Sequence, residues 1–215
     1  MGDYDSDDEK SQIEKLRYAK VPRGMFVSGW DDDADELIEE DKNPQASLER
    51  MILWAVNENK INEVRDILKL DPEAVSAVDD DGYTPLHRAC YNNFVDIAKL
   101  LLQYKADPNA RTKLGWTPLH SACKWSNAEC AGLLLQHGAD VNARSEGDQT
   151  PLHVAATVSN CRNTATVLLM DENIQPRALN NSGETAEQIA RRTGMTFPVF
   201  EMGHEAYEVE TGIID

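Results

Sequence analysis

A chain of 215 residues with 38 acidic against 21 basic side chains carries a formal charge of −17 and offers no general basic face for a phosphate backbone. Direct DNA or RNA binding is therefore not expected. No apolar run approaches the roughly 20 residues of a membrane span, and the acidic start Met-Gly-Asp-Tyr-Asp lacks the basic flank and apolar stretch of a secretory signal. A soluble intracellular protein without a membrane contact is the expectation.

Residues 1–43 alternate acidic runs with few apolar side chains, as in Asp3-Tyr-Asp-Ser-Asp-Asp-Glu and Asp31-Asp-Asp-Ala-Asp-Glu. Such a composition cannot bury enough apolar surface to offset ordering, which predicts a mostly disordered acidic tail. Between the runs, Val21-Pro-Arg-Gly-Met-Phe-Val-Ser-Gly-Trp30 concentrates Met25, Phe26 and Trp30, which read either as a short partner-binding motif or as a cap folded onto the neighbouring helical segment. Ser6 and Ser28 each have an acid three residues on, similar to sites of acidophilic kinases, although such patterns arise by chance in an acidic tail and unmodified, solvated serines are the favoured reading.

From Leu48 to Leu68 the apolar residues recur at helical spacing in two segments. The phrase Thr-Pro-Leu-His then occurs at Thr84, Thr117 and Thr150, 33 residues apart each time. Thr is a good N-cap and Pro fits the first helical position, where its missing N–H has no partner to lose. Each phrase thus starts a short helix. In the first copy Leu86, Ala89 and Cys90 form its buried face, Asn93 is the turn, and Val95, Ile97, Leu100 and Leu101 line a second helix. The first two copies close with Ala106-Asp-Pro-Asn-Ala and Ala139-Asp-Val-Asn-Ala. A strict period of this length, with several positions recurring together, means a repeat array in which stacked helix pairs bury a continuous core.

The segment from Leu48 is a degenerate copy, with Ala55 matching Ala89 and Asn59 matching Asn93, and suits an N-terminal cap. The copy from Ser145 has two extra residues within Val158–Asn163, which lengthen its inter-helix turn. A closing unit keeps Gly183, Thr185, Ile189 and Ala190 but replaces Pro-Leu-His, and Thr196 with Pro198 signals a short helix through Val199 and Phe200. Cys90, Cys123 and Cys130 fall at core positions of their copies, whereas Cys161 lies in the irregular stretch, where exposure is expected.

These residues resemble ankyrin repeats, most fully in Gly82-Tyr-Thr-Pro-Leu-His-Arg-Ala-Cys and Gly115-Trp-Thr-Pro-Leu-His-Ser-Ala-Cys. The repeats themselves begin near Pro44, and a fuller likeness to one member of that family runs from about Val21 to Phe200. It implies an all-α solenoid of about four helix-turn-helix repeats plus a C-terminal capping unit. The expected boundaries are an N-terminal tail at 1–43, repeats at about 46–78, 79–111, 112–144 and 145–179, a cap at 180–202 within a repeat domain of 44–202, and an acidic tail at 203–215.

No Gly-rich phosphate loop, nucleophile elbow or His-Glu-x-x-His pair is present, and the acidic runs have no scaffold to fix two carboxylates, so no enzyme and no cofactor are expected. His87, His120 and His153 sit on neighbouring helices roughly 8 to 10 Å apart, too far to share a zinc ion with ligands within about 2.1 Å; a structural hydrogen-bonding role is the consequence. The resemblance places on the concave face the residues just before each Thr and at the end of each first helix. They are Asp81, Tyr83, Tyr91 and Asn92; Lys113, Leu114, Trp116, Lys124 and Trp125; and Gln149, Thr157 and Val158. Clustered Tyr and Trp suit a protein interface, while a Trp that folds over the neighbouring repeat would merely tighten the stack.

The expected function is a monomeric, non-enzymatic adaptor that binds a protein partner on this face, with the resemblance implying a regulatory role in the nucleus, transcription included, or the cytoplasm. The alternative is an inhibitor of an enzyme or transcription factor whose acidic tail mimics nucleic acid or occupies the chain's own patch, to which Lys113, Lys124 and Arg88 lend positive charge.

Overall fold

The computed structural model describes residues 44–193 and 199–200. The tail residues Ser6, Met25, Phe26, Ser28 and Trp30, the start signal Thr196 with Pro198, and the segment from 201 onward lie outside the described residues. Those described are helices and turns, with no strand among them. In chain order the helices are α1 (Pro44–Asn57), α2 (Ile61–Leu70), α3 (Pro85–Tyr91), α4 (Val95–Gln103), α5 (Pro118–Lys124), α6 (Ala128–Gln136), α7 (Pro151–Ala156), α8 (Arg162–Leu169) and α9 (Ala186–Thr193). A short 3-10 turn, Pro72–Ser76, comes after α2.

The helices stack in two rows, α1, α3, α5, α7 and α9 in one and α2, α4, α6 and α8 in the other. Leu86, Leu119 and Leu152 of the first row and Leu101, Leu134 and Leu168 of the second are sealed from solvent and fill the space between the rows. Each such leucine contributes about 2 kcal/mol by leaving water. Val199 and Phe200 are buried on the same core.

The turns explain why the pairs are so tight. Asn59, Asn93 and Ser126 take left-handed φ of 55°, 58° and 59° just past α1, α3 and α5. This lets the next residue's N–H reach back to the carbonyl five residues earlier, as in Phe94 to Ala89 at 2.9 Å and Asn127 to Ala122 at 2.9 Å. The turn between α7 and α8, residues 157–161, is two residues longer than 92–94 or 125–127. That extra length corrects one expectation. It folds back far enough that Cys161, at the start of α8, is buried in the core rather than exposed.

Candidate functional site

The three Thr-Pro-Leu-His phrases fix the site from below. Thr84, Thr117 and Thr150 each begin their helix in extended backbone, and the histidine three residues on completes a reciprocal cap. In the first, the Thr84 N–H donates to His87 Nδ1 at 3.1 Å and the His87 N–H donates to Thr84 Oγ1 at 3.4 Å. Nδ1 therefore carries no proton, and Nε2 does. Nε2–H in turn donates across to the next repeat: His87 to the Trp116 carbonyl at 3.1 Å, His120 to that of Gln149 at 3.0 Å, His153 to that of Glu184 at 3.1 Å. The structural hydrogen-bonding role expected of these histidines is thus filled at both ring nitrogens, one within the repeat and one across to the next. Burial opposes the charged form and pushes His87 and His120 down to about 4, against the Nε2–H bonds to the carbonyls, which favour it, and His153 is lowered for the same reason.

The carbonyls those histidines hold belong to projecting fingers that precede each first-row helix. In three of the fingers one polar side chain accepts backbone N–H bonds, Asp79 from Asp81 and Tyr83, Thr112 from Trp116, and Asn180 from Ser182 and Glu184, whereas in the Gln149 finger the Ser145 hydroxyl donates to the Glu146 and Gln149 carbonyls. Neighbouring fingers are joined through Lys113 N–H to the Asp81 carbonyl at 2.9 Å, Glu146 N–H to that of Leu114 at 2.9 Å and Asn181 N–H to that of Gly147 at 3.0 Å. Gly82 and Gly115 permit this closeness. Their φ values are +84° and +71°, and a Cβ would stand 3.1 Å from the Lys113 nitrogen and 3.3 Å from the Ser145 Cα respectively.

On this frame the aromatic candidates divide. Tyr83 is half-buried, its ring edge-on to His87 with centroids 5.5 Å apart and the Arg88 guanidinium 5.1 Å from its centroid. Arg88 also pairs with Asp79, so its charge is already matched. Burial raises the Tyr83 hydroxyl above its ordinary value, with Arg88 opposing the shift. Trp116 is half-buried against the core and tilted over the His120 ring at 6.0 Å. Tyr91 and Trp125 behave differently. They come from the ends of α3 and α5, their rings meet at 4.7 Å with a 59° tilt, and they remain 39% and 51% exposed.

Asn127, which sequence reading passed over, holds this pair in place. From the start of α6 its amide nitrogen donates to the carbonyls of both Cys90 and Tyr91 at 2.8 Å, anchoring the end of α3 to the next repeat's turn. One signal was available: the preceding copy has Phe94 at the matching position, so the polar residue there was a departure from the pattern. Lys113, Leu114 and Lys124 are exposed, Leu114 to 56%. Asn92 is half-buried and donates to the Arg88 carbonyl, and Gln149 is half-buried with its carbonyl held by His120. In the next repeat Thr157 turns its hydroxyl onto the Val154 carbonyl and Val158 packs on the core, so this stretch adds no ring to the aromatic cluster.

Fingers, paired helices and a histidine linking each repeat to the next define an ankyrin-repeat protein. The family model "Ankyrin repeats (3 copies)" matches residues 31–112, 51–145 and 104–180, and the chain belongs to that family. It is similar at 80% identity over 215 residues, all of both chains, to Ankyrin repeat domain-containing protein 49 of Drosophila melanogaster. It is 47% identical over 192 residues to the proteins of that name from Homo sapiens and Bos taurus, covering 85% of this chain and 80% and 81% of those. Ankyrin repeats in general mediate protein binding. No described helix is long and apolar enough to cross a membrane.

Proposed function

We propose that the chain is a non-enzymatic adaptor whose repeat domain, residues 44–202, docks a protein partner on the surface carrying Tyr91 and Trp125, with Tyr83, Asn92, Lys113, Leu114, Trp116, Lys124 and Gln149 around them. The observation that carries the reading is the Tyr91–Trp125 pair. Two large rings from different repeats are held together yet left half in water, although burying them elsewhere would stabilise the monomer. Trp116 has a packing role beside this one, because its ring rests on His120 and the core. A regulatory, nuclear role belongs to the same proposal.

The test is affinity capture from native extract, with the intact chain, a Tyr91→Ala/Trp125→Ala variant and a Trp116→Ala variant as baits, each first shown to melt cooperatively. Proteins lost from the Tyr91/Trp125 bait alone support docking on this surface. Identical captures on all three baits refute it. Removal of residues 1–43 belongs in the same series. A gain in affinity would support occupation of the surface by the chain's own acidic tail, for which Lys113 and Lys124, rather than the Asp79-paired Arg88, supply the attracting charge.

A further inference from the structure

The charge around the Tyr91–Trp125 rings is sorted by sign. Asp80 and Asp81 tip one finger, Lys113 tips the next, and Glu146 and Asp148 tip the one after, while Lys124 adds a second cation beside Trp125 in the middle repeat. All six side chains are exposed, and none forms an ion pair with a described residue, whereas Arg88 in the same region is taken by Asp79. The order of the bands is fixed by backbone contact. Lys113 N–H donates to the Asp81 carbonyl and Glu146 N–H to that of Leu114, both at 2.9 Å, so an acidic tip stands directly on either side of the basic one. The middle band is also the apolar one, with Leu114 56% exposed beside Lys113 and the paired rings beside Lys124.

Unpaired charge is ordinary on a surface. Charge banded by repeat around half-exposed rings is more restrictive, because whatever covers the rings meets acid, base and acid in turn, and like charges brought together there cost affinity. Given that the surface carrying Tyr91 and Trp125 is where a partner docks, we propose that it takes an extended peptide segment of a partner protein whose charges alternate in step with the repeats. A Lys or Arg lies against Asp80 and Asp81, an Asp or Glu with an apolar neighbour lies over Lys113, Lys124 and the rings, and a second Lys or Arg lies against Glu146 and Asp148.

The stacking sets the spacing of that segment. Repeats follow one another at roughly 10 Å, which extended chain covers in about three residues at ~3.3 Å each. The central acid therefore has a basic residue about three positions before it and another about three positions after it. A uniformly acidic segment, the chain's own run Asp31-Asp-Asp-Ala-Asp-Glu included, sets like charges against both outer bands, and a uniformly basic one against the two lysines.

The test selects a display library of random dodecapeptides on the full-length protein and on two variants, Lys113→Glu/Lys124→Glu and Tyr91→Ala/Trp125→Ala, each first shown to melt cooperatively. The wild type should enrich peptides with a central acid flanked on both sides by basic residues, and the ring variant should not enrich them. A synthetic copy of the consensus, followed by fluorescence anisotropy, should bind Lys113→Glu/Lys124→Glu about tenfold more weakly than wild type, and replacing its central acid with Lys should restore binding to that variant. Uniformly acidic or uniformly basic peptides that are enriched on wild type and lost on the ring variant would overturn the banded ligand and leave the docking surface standing. The same peptides enriched on wild type and on the ring variant would overturn the docking surface, and this inference with it. Equal affinity for wild type and Lys113→Glu/Lys124→Glu also overturns the proposal, as does a wild-type selection that yields no shared charge pattern or no peptide.

Discussion

Acid should unfold this protein through its histidines, and His120→Gln isolates the effect. In the folded chain His120 is neutral because Nδ1 accepts the Thr117 N–H and burial opposes charge, so it sits at about 4 against an ordinary 6.5. The folded value lies below the unfolded one, so the unfolded state binds more protons between them. The stability is fully present above about 6.5 and is lost as pH falls through that window. For one such histidine linkage gives a loss of about 2 kcal/mol by pH 5 and about 3.4 kcal/mol in full below pH 4. His87, placed alike at about 4, doubles this. The molecule supplies its own control, since Gln188 makes the same reciprocal cap with Thr185, accepting its N–H at 2.8 Å and donating to its hydroxyl at 3.2 Å, with nothing to titrate. His120→Gln should therefore keep the cap, lose the bond to the Gln149 carbonyl at a cost of about 1 kcal/mol at neutral pH, and show a shallower acid dependence. The assay is urea unfolding of wild type and variant at pH 7.5, 6 and 5, compared as the change in ΔG with pH, so that carboxylates common to both cancel. A difference of about 2 kcal/mol between their pH 7.5-to-5 losses is expected. Parallel curves would refute the neutral, doubly bonded ring.

The fingers give two opposed predictions. Gly82→Ala, forced to a φ of +84° with its Cβ 3.1 Å from the Lys113 nitrogen, should lower stability by about 2 kcal/mol in urea titrations. Asp148 stands where the earlier copies have Gly82 and Gly115, at a φ of 54°, so Asp148→Gly should raise stability by about 1 kcal/mol, seen as a higher urea midpoint. Trp125→Ala, half exposed, should cost under about 1 kcal/mol in thermal melts, whereas Trp116→Ala, packed on the core, should cost about 2 to 3. Asn127→Ala should cost about 1 to 2 kcal/mol in the same melts and expose the Tyr91 backbone to faster amide exchange, because two carbonyls lose their donor.

The repeat array was determined by the sequence alone, because its signals are local. Thr and Pro at a helix start, Asn93 in a left-handed turn and leucines at helical spacing each act within a few residues, and a 33-residue period repeats them until chance is excluded. The capping histidines were legible for the same reason, three residues from their threonines. The tertiary structure decided what depends on two copies meeting. Tyr91 and Trp125 occupy non-equivalent positions, since Tyr91 aligns with Lys124 and Asn92 with Trp125, so no alignment of copies shows that their rings touch. Trp116 and Trp125 read alike as candidate aromatics, yet one rests on a buried histidine and the other faces water. Cys161 looked exposed because the period fails around it, and only the path of the longer turn brings it inside. Arg88 looked like a free charge until Asp79, across the finger, took it. A period reports which residues share a place in their own repeat; contact between repeats depends on the offset and rotation at which they stack, and those arise from the packed interface rather than from any one segment.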